Sequence, residues 1–323
     1  MVSGTAFDFP SYVQDKRSQL ESCLAEYLSG DEPPALWESM RYSVLEGGKR
    51  IRGMLCFAAA EAVAGEPAAA GGTASVSVAE IVMPCACAIE MVHAMSLIHD
   101  DLPVMDNDDF RRGRPTNHKV YGEALALLAG DALLVRATEV LARHTPPVVD
   151  RQALIDVIAE FARVSGAWGL VGGQVDDLAF GGQLAQQLAE QIGVDERTLR
   201  SIHRRKTGAL LSFCSWSGAY LMGARGDLAD AFKQFGELLG LAFQITDDLL
   251  DVTGDIQTLG KTPGKDEAAQ KTTWVRMFGI ERSRQHVVEL REQLEDLLNQ
   301  TGIATGRRAA LNAIVDYAVT RQN

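Results

Sequence analysis

Two acidic clusters and four basic runs are the residues of this sequence whose types and spacing could do chemistry. In MSLIHDDLPVMDNDDFRRGRPT (95–116), Asp100, Asp101, Asp106, Asp108 and Asp109 fall within ten positions and are followed at once by Arg111, Arg112 and Arg114. Asp106 lies six residues after Asp100, about 240° around an ideal helix and so off its face. Pro103 alters that geometry. Proline removes a backbone donor and clashes with the preceding turn, so a kink or bulge within DDLPVMD is expected to return Asp106 to the side of Asp100. Taken alone, the segment also reads as a solvated acidic turn closing a helix.

The second cluster, QITDDLLDV (244–252), puts Asp247 and Asp251 at i and i+4 on one helical face with Asp248 adjacent. They interrupt an apolar helix, where charge is costly unless paired or metal-bound. Two aspartate groups facing each other across a bundle would form an all-oxygen site for a hard cation, with Mg²⁺ the natural choice because it shares substrate phosphate oxygens. The complement is basic: Lys49, Arg50 and Arg52 in EGGKRIRG (46–53), the RRGR arginines, Lys206 with Thr207 in RRKTGAL (204–210), and Lys261, Lys265 and Lys271 in LGKTPGKDEAAQK. Any one run is simply a solvated face. Together with carboxylate-held Mg²⁺, they imply an anionic substrate, most economically a diphosphate gripped by metal on one side and by cations on the other.

The elements that must position these groups are helical throughout. Ala/Leu-rich segments of period near 3.6 run over 9–29, 35–64, 77–102, 121–144, 148–165, 195–222, 227–252, 266–299 and 304–321, and no period-2 alternation suggests a sheet. Segments such as 124–142, apolar nearly all round, are expected at the centre of a large bundle. GGQVDDL (172–178) is read as a helix-packing turn rather than a third metal site. No long linker interrupts the 323 residues, so one domain over 1–323 is expected. The net charge of −12 argues against nucleic acid or anionic lipid as partner. Five cysteines, odd in number and without a C-x-x-C pair, suggest free thiols in a reducing compartment. No uninterrupted apolar window suggests a transmembrane segment, and the expected location is the cytoplasm, or the plastid stroma if a targeting peptide has been removed.

In chain order, GGKRIR, DDLPVMD with RRGRPT, KTGAL, Q-I-T-DDLLD and the GK…KD loop resemble the trans-isoprenyl diphosphate synthases, over nearly the whole chain. The subtype is similar to geranylgeranyl diphosphate synthases of the cyanobacterial and plastid kind. The resemblance implies an all-α bundle around a deep central cavity, a homodimer, and several Mg²⁺ ions. It also implies roles. Asp100, Asp106 and Asp247 would bind Mg²⁺, supported by Asp101, Asp248 and Asp251, with Asp266 reached through water. Arg111, Lys206, Thr207, Gln244, Lys261 and Lys271 would hold an allylic diphosphate, and Lys49, Arg52, His93 and Arg112 would hold isopentenyl diphosphate. Of the 172–178 segment only Asp177 matches the family pattern, and Asp176 does not. Gly53 departs from it, standing where the family usually has proline, which bears on the rigidity of that loop and not on its charges.

His93 sits seven positions before Asp100, two turns along the same face, although a histidine on an apolar helix is also an ordinary core residue. Ionising an allylic diphosphate needs charge neutralisation on the leaving group and no protein nucleophile. Met95 and Ser96 lie about 6–8 Å down the helix from Asp100, where a growing chain must pass. Members of the resembled family that stop at fifteen carbons commonly carry a bulky aromatic at one of these positions, so a flexible methionine and a small serine imply a twenty-carbon product, with a fifteen-carbon one as the alternative, although Met95 also reads as ordinary helix packing. A terpene cyclase would not need the second diphosphate pocket. A phosphohydrolase using His99 and Asp100 would leave Asp247 to Asp251 unexplained, and a non-catalytic subunit typically lacks one aspartate motif.

Overall fold

A computed structural model describes residues 7–45, 47–64, 76–180, 196–253 and 273–321. The centre of the molecule is the helix Val78–Asp100, here α4, preceded by α1 (Phe9–Tyr27), α2 (Pro34–Leu45) and α3 (Ile51–Val63). Its start is fixed by a capping box, in which Ser77 and Glu80 satisfy each other's backbone donors. Its middle, VMPCACAI, is apolar on every side and buried on every side. It is long and apolar enough to cross a membrane, yet most of it is buried inside the protein, as a core helix is. It packs on α3 and on α6 (Glu123–His144), which follows the short α5 (Asn117–Tyr121).

Among the described residues, the remaining helices are α7 (Arg151–Ser165), α8 (Leu170–Phe180), α9 (Glu196–His203), a π-helical turn Arg204–Gly208, α10 (Ala209–Leu221), α11 (Gly226–Thr253), α12 (Trp274–Phe278), α13 (Ile280–Gln300), a 3₁₀ turn Thr305–Arg308 and α14 (Ala309–Thr320). The main core joins α1 to α4, α6, α7, the start of α8, α10, α11, α13 and α14, and a smaller one gathers Leu199, Ala242, Ile245, Trp274, Val287 and Leu290. Among the described residues, the only strands are Phe110–Arg111 and Arg114–Pro115, paired antiparallel. Their two-residue turn has Arg112 at φ 54° and Gly113 at φ 78°, the doubly left-handed turn that tight hairpins favour.

The structure corrects four expectations drawn from periodicity. The helix expected over 35–64 is two, because Gly47 (φ 88°), Gly48 (φ 114°) and Arg50 (φ 54°) take conformations that no helix contains. Residues 195–222 include a π turn over 204–208, inserted between two α-helical stretches. GGQVDDL lies within α8 and is not a turn. Its glycine serves close packing: a Cβ on Gly173 would lie 2.4 Å from the backbone nitrogen of Lys206. Finally, 124–142 is not buried all round, since Leu127, Leu128 and Val135 on α6 are about half exposed or more. The start of the segment expected over 266–299 lies outside the described residues, and its described part is α12 and α13.

Candidate active site

A cavity of about 590 Å³ opens between α4, α8, α9 and α11. Eleven sequence candidates line it: Arg52, His93, Met95, Ser96, Asp100, Asp106, Arg111, Lys206, Thr207, Gln244 and Asp248. Leu170, Leu178, Leu199, Ile202 and Leu210 make part of its wall apolar.

The acidic wall is built by a turn. Pro103 ends α4 instead of kinking it, and the chain doubles back so that the Asp106 N–H donates to the Asp100 carbonyl at 2.9 Å. Asp106 thereby reaches the side of Asp100, as the proline suggested, though through a stop and not a bulge. Burial pushes the Asp100 carboxyl up to about 6; Lys206 pulls it down and the Asp106 charge pushes it up again. Asp101 faces the other way. Its carboxylate receives a bidentate grip from Arg111, Nε at 2.9 Å to both oxygens and Nη2 at 2.6 Å, which orients Arg111 along the cavity rim.

Among the described residues, no three acidic, imidazole or thiol groups converge into a complete cation site. Two oxygen-donor carboxylates on one cavity wall, Asp100 with its pKa raised chiefly by burial, fit a divalent ion that completes its shell with water and substrate oxygens.

A second zone is cationic. Arg112 Nη1 donates to the Gly47 carbonyl at 2.8 Å, and its guanidinium occupies the space a Cβ on Gly48 would need. Arg52 Nη1 donates to His93 Nε2 at 3.3 Å. Because arginine only donates, His93 accepts and is neutral, and burial with Arg52, Arg112, Arg111 and Arg50 nearby holds its pKa well below the usual range. Burial likewise lowers Arg52 and Arg112, and Arg50 lowers Arg112 further. Such mutual repulsion marks a place for an anion. Lys49 stands at its edge, its Nζ 5.4 Å from the Tyr317 ring centre.

The third wall comes from the π turn and α11. Lys206 Nζ donates to Asp177 at 2.6 Å, and Arg205 pairs with Asp176. Thr207 Oγ1 donates to Gln244 Oε1 (3.1 Å), Gln244 Nε2 to Asp248 Oδ1 (3.2 Å), and the Trp274 N–H to Asp248 Oδ2 (2.7 Å). Asp248 is thus buried as a tie between helices. Asp247, one residue earlier, is half exposed and bonded to Arg321 Nη2 at 2.7 Å. Asp251 follows Asp247 by one turn on α11, and neither is among the lining residues. Lys261, Lys265, Asp266 and Lys271 lie outside the described residues.

Sequence reading overlooked Gln174, His203 and Arg321. Gln174 and His203 both line the cavity, each with a buried polar nitrogen that has no partner among the described residues. Nothing local singles out Arg321, which stacks on Phe243 and reaches α11 only through the fold.

Fold and site together define an all-α protein that sets converging cations and paired carboxylates above an apolar cavity, a form suited to a phosphorylated head with a hydrocarbon tail. The chain belongs to the polyprenyl synthetase family, whose model matches residues 33–312. It is 43% identical to a dimethylallyltranstransferase of Fischerella ambigua over 99% of this chain and 86% of that one. It is 42% identical to the chloroplastic geranylgeranyl pyrophosphate synthase of Catharanthus roseus over 99% and 84%. Among solved structures, an FPP/GFPP synthase from Zymomonas mobilis superposes with a TM-score of 0.80 at 32% identity, covering 96% of this chain and 99% of that one.

Proposed function

We propose that this prenyltransferase condenses isopentenyl diphosphate head to tail with the allylic dimethylallyl, geranyl and farnesyl diphosphates, with Mg²⁺, to give geranylgeranyl diphosphate. The observation that carries the reading is the meeting of two differently built charge zones at one cavity: the Asp100–Asp106 wall with Lys206, and the Arg52–His93 pair, with Arg112 beside it lining a smaller adjoining pocket. A cyclase acting on one diphosphate has no use for the second.

In this reading Asp100, Asp106 and Asp247 hold Mg²⁺, which when bound supplies neutralising charge to the leaving diphosphate. Arg111, held rigid by Asp101, grips the allylic diphosphate with Lys206 and Thr207, and Gln244 orients Thr207. Lys261 and Lys271 are assigned to the same anion. Lys206 leaves Asp177 for phosphate oxygens on binding. Lys49, Arg52, Arg112 and neutral His93 hold isopentenyl diphosphate beside it. The allylic C–O bond breaks, the isopentenyl double bond forms the new C–C bond, and the adduct loses a proton to the released diphosphate. Leu170, Leu178 and Leu210 exclude water from the cation.

Met95 and Ser96 both line the cavity. The Ser96 hydroxyl folds back on the His93 carbonyl at 2.9 Å, so it offers little bulk to a passing chain. That supports twenty carbons, with farnesyl diphosphate as the alternative. The exposed Leu127, Leu128 and Val135 of α6 support a homodimer, and five free thiols, four of them buried, support a reducing compartment, cytoplasm or stroma. The test is incubation with labelled isopentenyl diphosphate, Mg²⁺ and each allylic primer, resolving products by length. Consumption of an allylic diphosphate without isopentenyl diphosphate would instead identify a cyclase.

A further inference from the structure

Glu90 lies in the middle of α4 within CACAIEMVHAM, 3% exposed, and the reaction described above gives it no part. A buried carboxylate costs free energy unless it is hydrogen-bonded or paired. Its partners are on α3. Oε1 accepts the Gly53 N–H at 2.9 Å, and Oε2 lies 3.6 Å from Arg50 Nη1. Gly53 is the third residue of α3, so its N–H is one of those that a helix start leaves without an internal partner. Arg50, in the cap position, is left-handed and has no side-chain cap of its own. Glu90 therefore caps α3 from a neighbouring helix, with its negative charge at the positive helix end.

One turn further along α4, His93 accepts from Arg52. Two residues on one face of α4 thus hold two successive residues of α3. A proline at position 53 would have no N–H to offer Glu90, and any Cβ there would come within 2.8 Å of Leu20 and 3.4 Å of Glu90 itself. Gly53 and the buried Glu90 are two halves of one arrangement.

We propose that Glu90 is a positioning residue for the isopentenyl diphosphate pocket: by accepting the Gly53 N–H it fixes the first turn of α3, and with it the direction of Arg52 and Lys49. This rests on the assignment of Lys49 and Arg52 to that substrate.

Glu90→Asp keeps the charge but withdraws it by one methylene, whereas Glu90→Gln keeps the reach and an acceptor oxygen. Glu90→Asp should raise the KM for isopentenyl diphosphate roughly five- to tenfold, the scale of one charge-assisted hydrogen bond partly lost. The allylic KM should hold, and amide exchange across 51–54 should accelerate. Glu90→Gln should restore both readouts to near wild type. Equal damage in the two variants, or a wild-type isopentenyl KM in Glu90→Asp, would overturn the proposal. Should Glu90→Asp not fold, exchange at Gly53 in the unmodified protein decides: slow exchange is expected, and exchange at the rate of a free loop refutes the cap. Lys49→Ala and Arg52→Ala run alongside. If they also leave the isopentenyl KM unchanged, the pocket assignment fails while Gly53 exchange still reports on Glu90; if they raise it and Glu90→Asp does not, the role of Glu90 alone fails.

Discussion

The two aspartate clusters are built in opposite ways. The one closing α4 is made by its own chain: Asp106 returns to Asp100 through a turn of six residues, and Asp101 takes its arginine from ten residues on. The one closing α11 is assembled from afar. Asp248 is bound by Trp274 and, through Gln244, tied to Thr207, while Asp247 meets Arg321 near the end of the chain. A cluster closed by local turns can be altered without disturbing the fold, whereas one closed by distant helices carries chemistry and stability together.

The largest expected effect tests that difference directly. Asp100→Ala and Asp247→Ala should each lower kcat by roughly 10²–10³-fold, as expected when a group that stabilises a leaving anion is removed. Only Asp247→Ala should also lower Tm, because it leaves Arg321 without its carboxylate, whereas the charge on Asp100 is disfavoured chiefly by its burial. Calorimetry on both variants checks this, and a lowered Tm for Asp100→Ala with an unchanged one for Asp247→Ala would invert the comparison.

Acid should weaken the α11 side next. His203 packs 6.0 Å from Trp274, and burial lowers its pKa to about 4. The unfolded chain, with an ordinary histidine pKa near 6.5, takes up the proton first. Stability is therefore lost as pH falls from about 6.5 to about 4 and levels off below, by up to about 3 kcal/mol for this one group. Denaturant unfolding of wild type and His203→Gln across that range should show the steeper decline in wild type, and parallel curves would remove His203 from the account.

Asp248→Ala should destabilise by about 1–3 kcal/mol, since it strands the buried Trp274 N–H. Asp248→Asn, which retains an acceptor, should recover most of that. If Asn is as damaging as Ala, Asp248 acts through charge and belongs with the metal-binding groups. The smallest effect is on selectivity. Met95→Tyr or Ser96→Phe should shift the product toward fifteen carbons with little change in Tm, read by chromatography of dephosphorylated products, and an unchanged distribution in both would show that the chain-length limit lies elsewhere in the cavity.

How far the site was legible in the sequence follows the same division. DDLPVMD could be read because Pro103 acts on neighbours in the chain, and GGKRIR because its charges and glycines are contiguous. Periodicity nonetheless ran a helix straight through the glycines, since apolar spacing records which face is buried and not where the backbone turns left-handed. The π turn was invisible for a related reason: five residues, RRKTG, are wound wider than an α-helix so that Arg205 and Lys206 face Asp176 and Asp177 on α8. Glu90 did leave a trace, a lone acid inside an apolar helix, but a trace without an address.

The sequence by itself determined the helical class, the family, and which residue types could meet a diphosphate, because these depend on composition, spacing and local turn chemistry. Tertiary structure alone decided that Asp248 is a tie between helices and Asp247 the half-exposed partner of Arg321, that Lys206 rests on Asp177, and that Gly53 needs Glu90. Each of these is a hydrogen bond or ion pair between helices brought together by burial of the shared core, and nothing in the intervening chain encodes which partner the packing will supply.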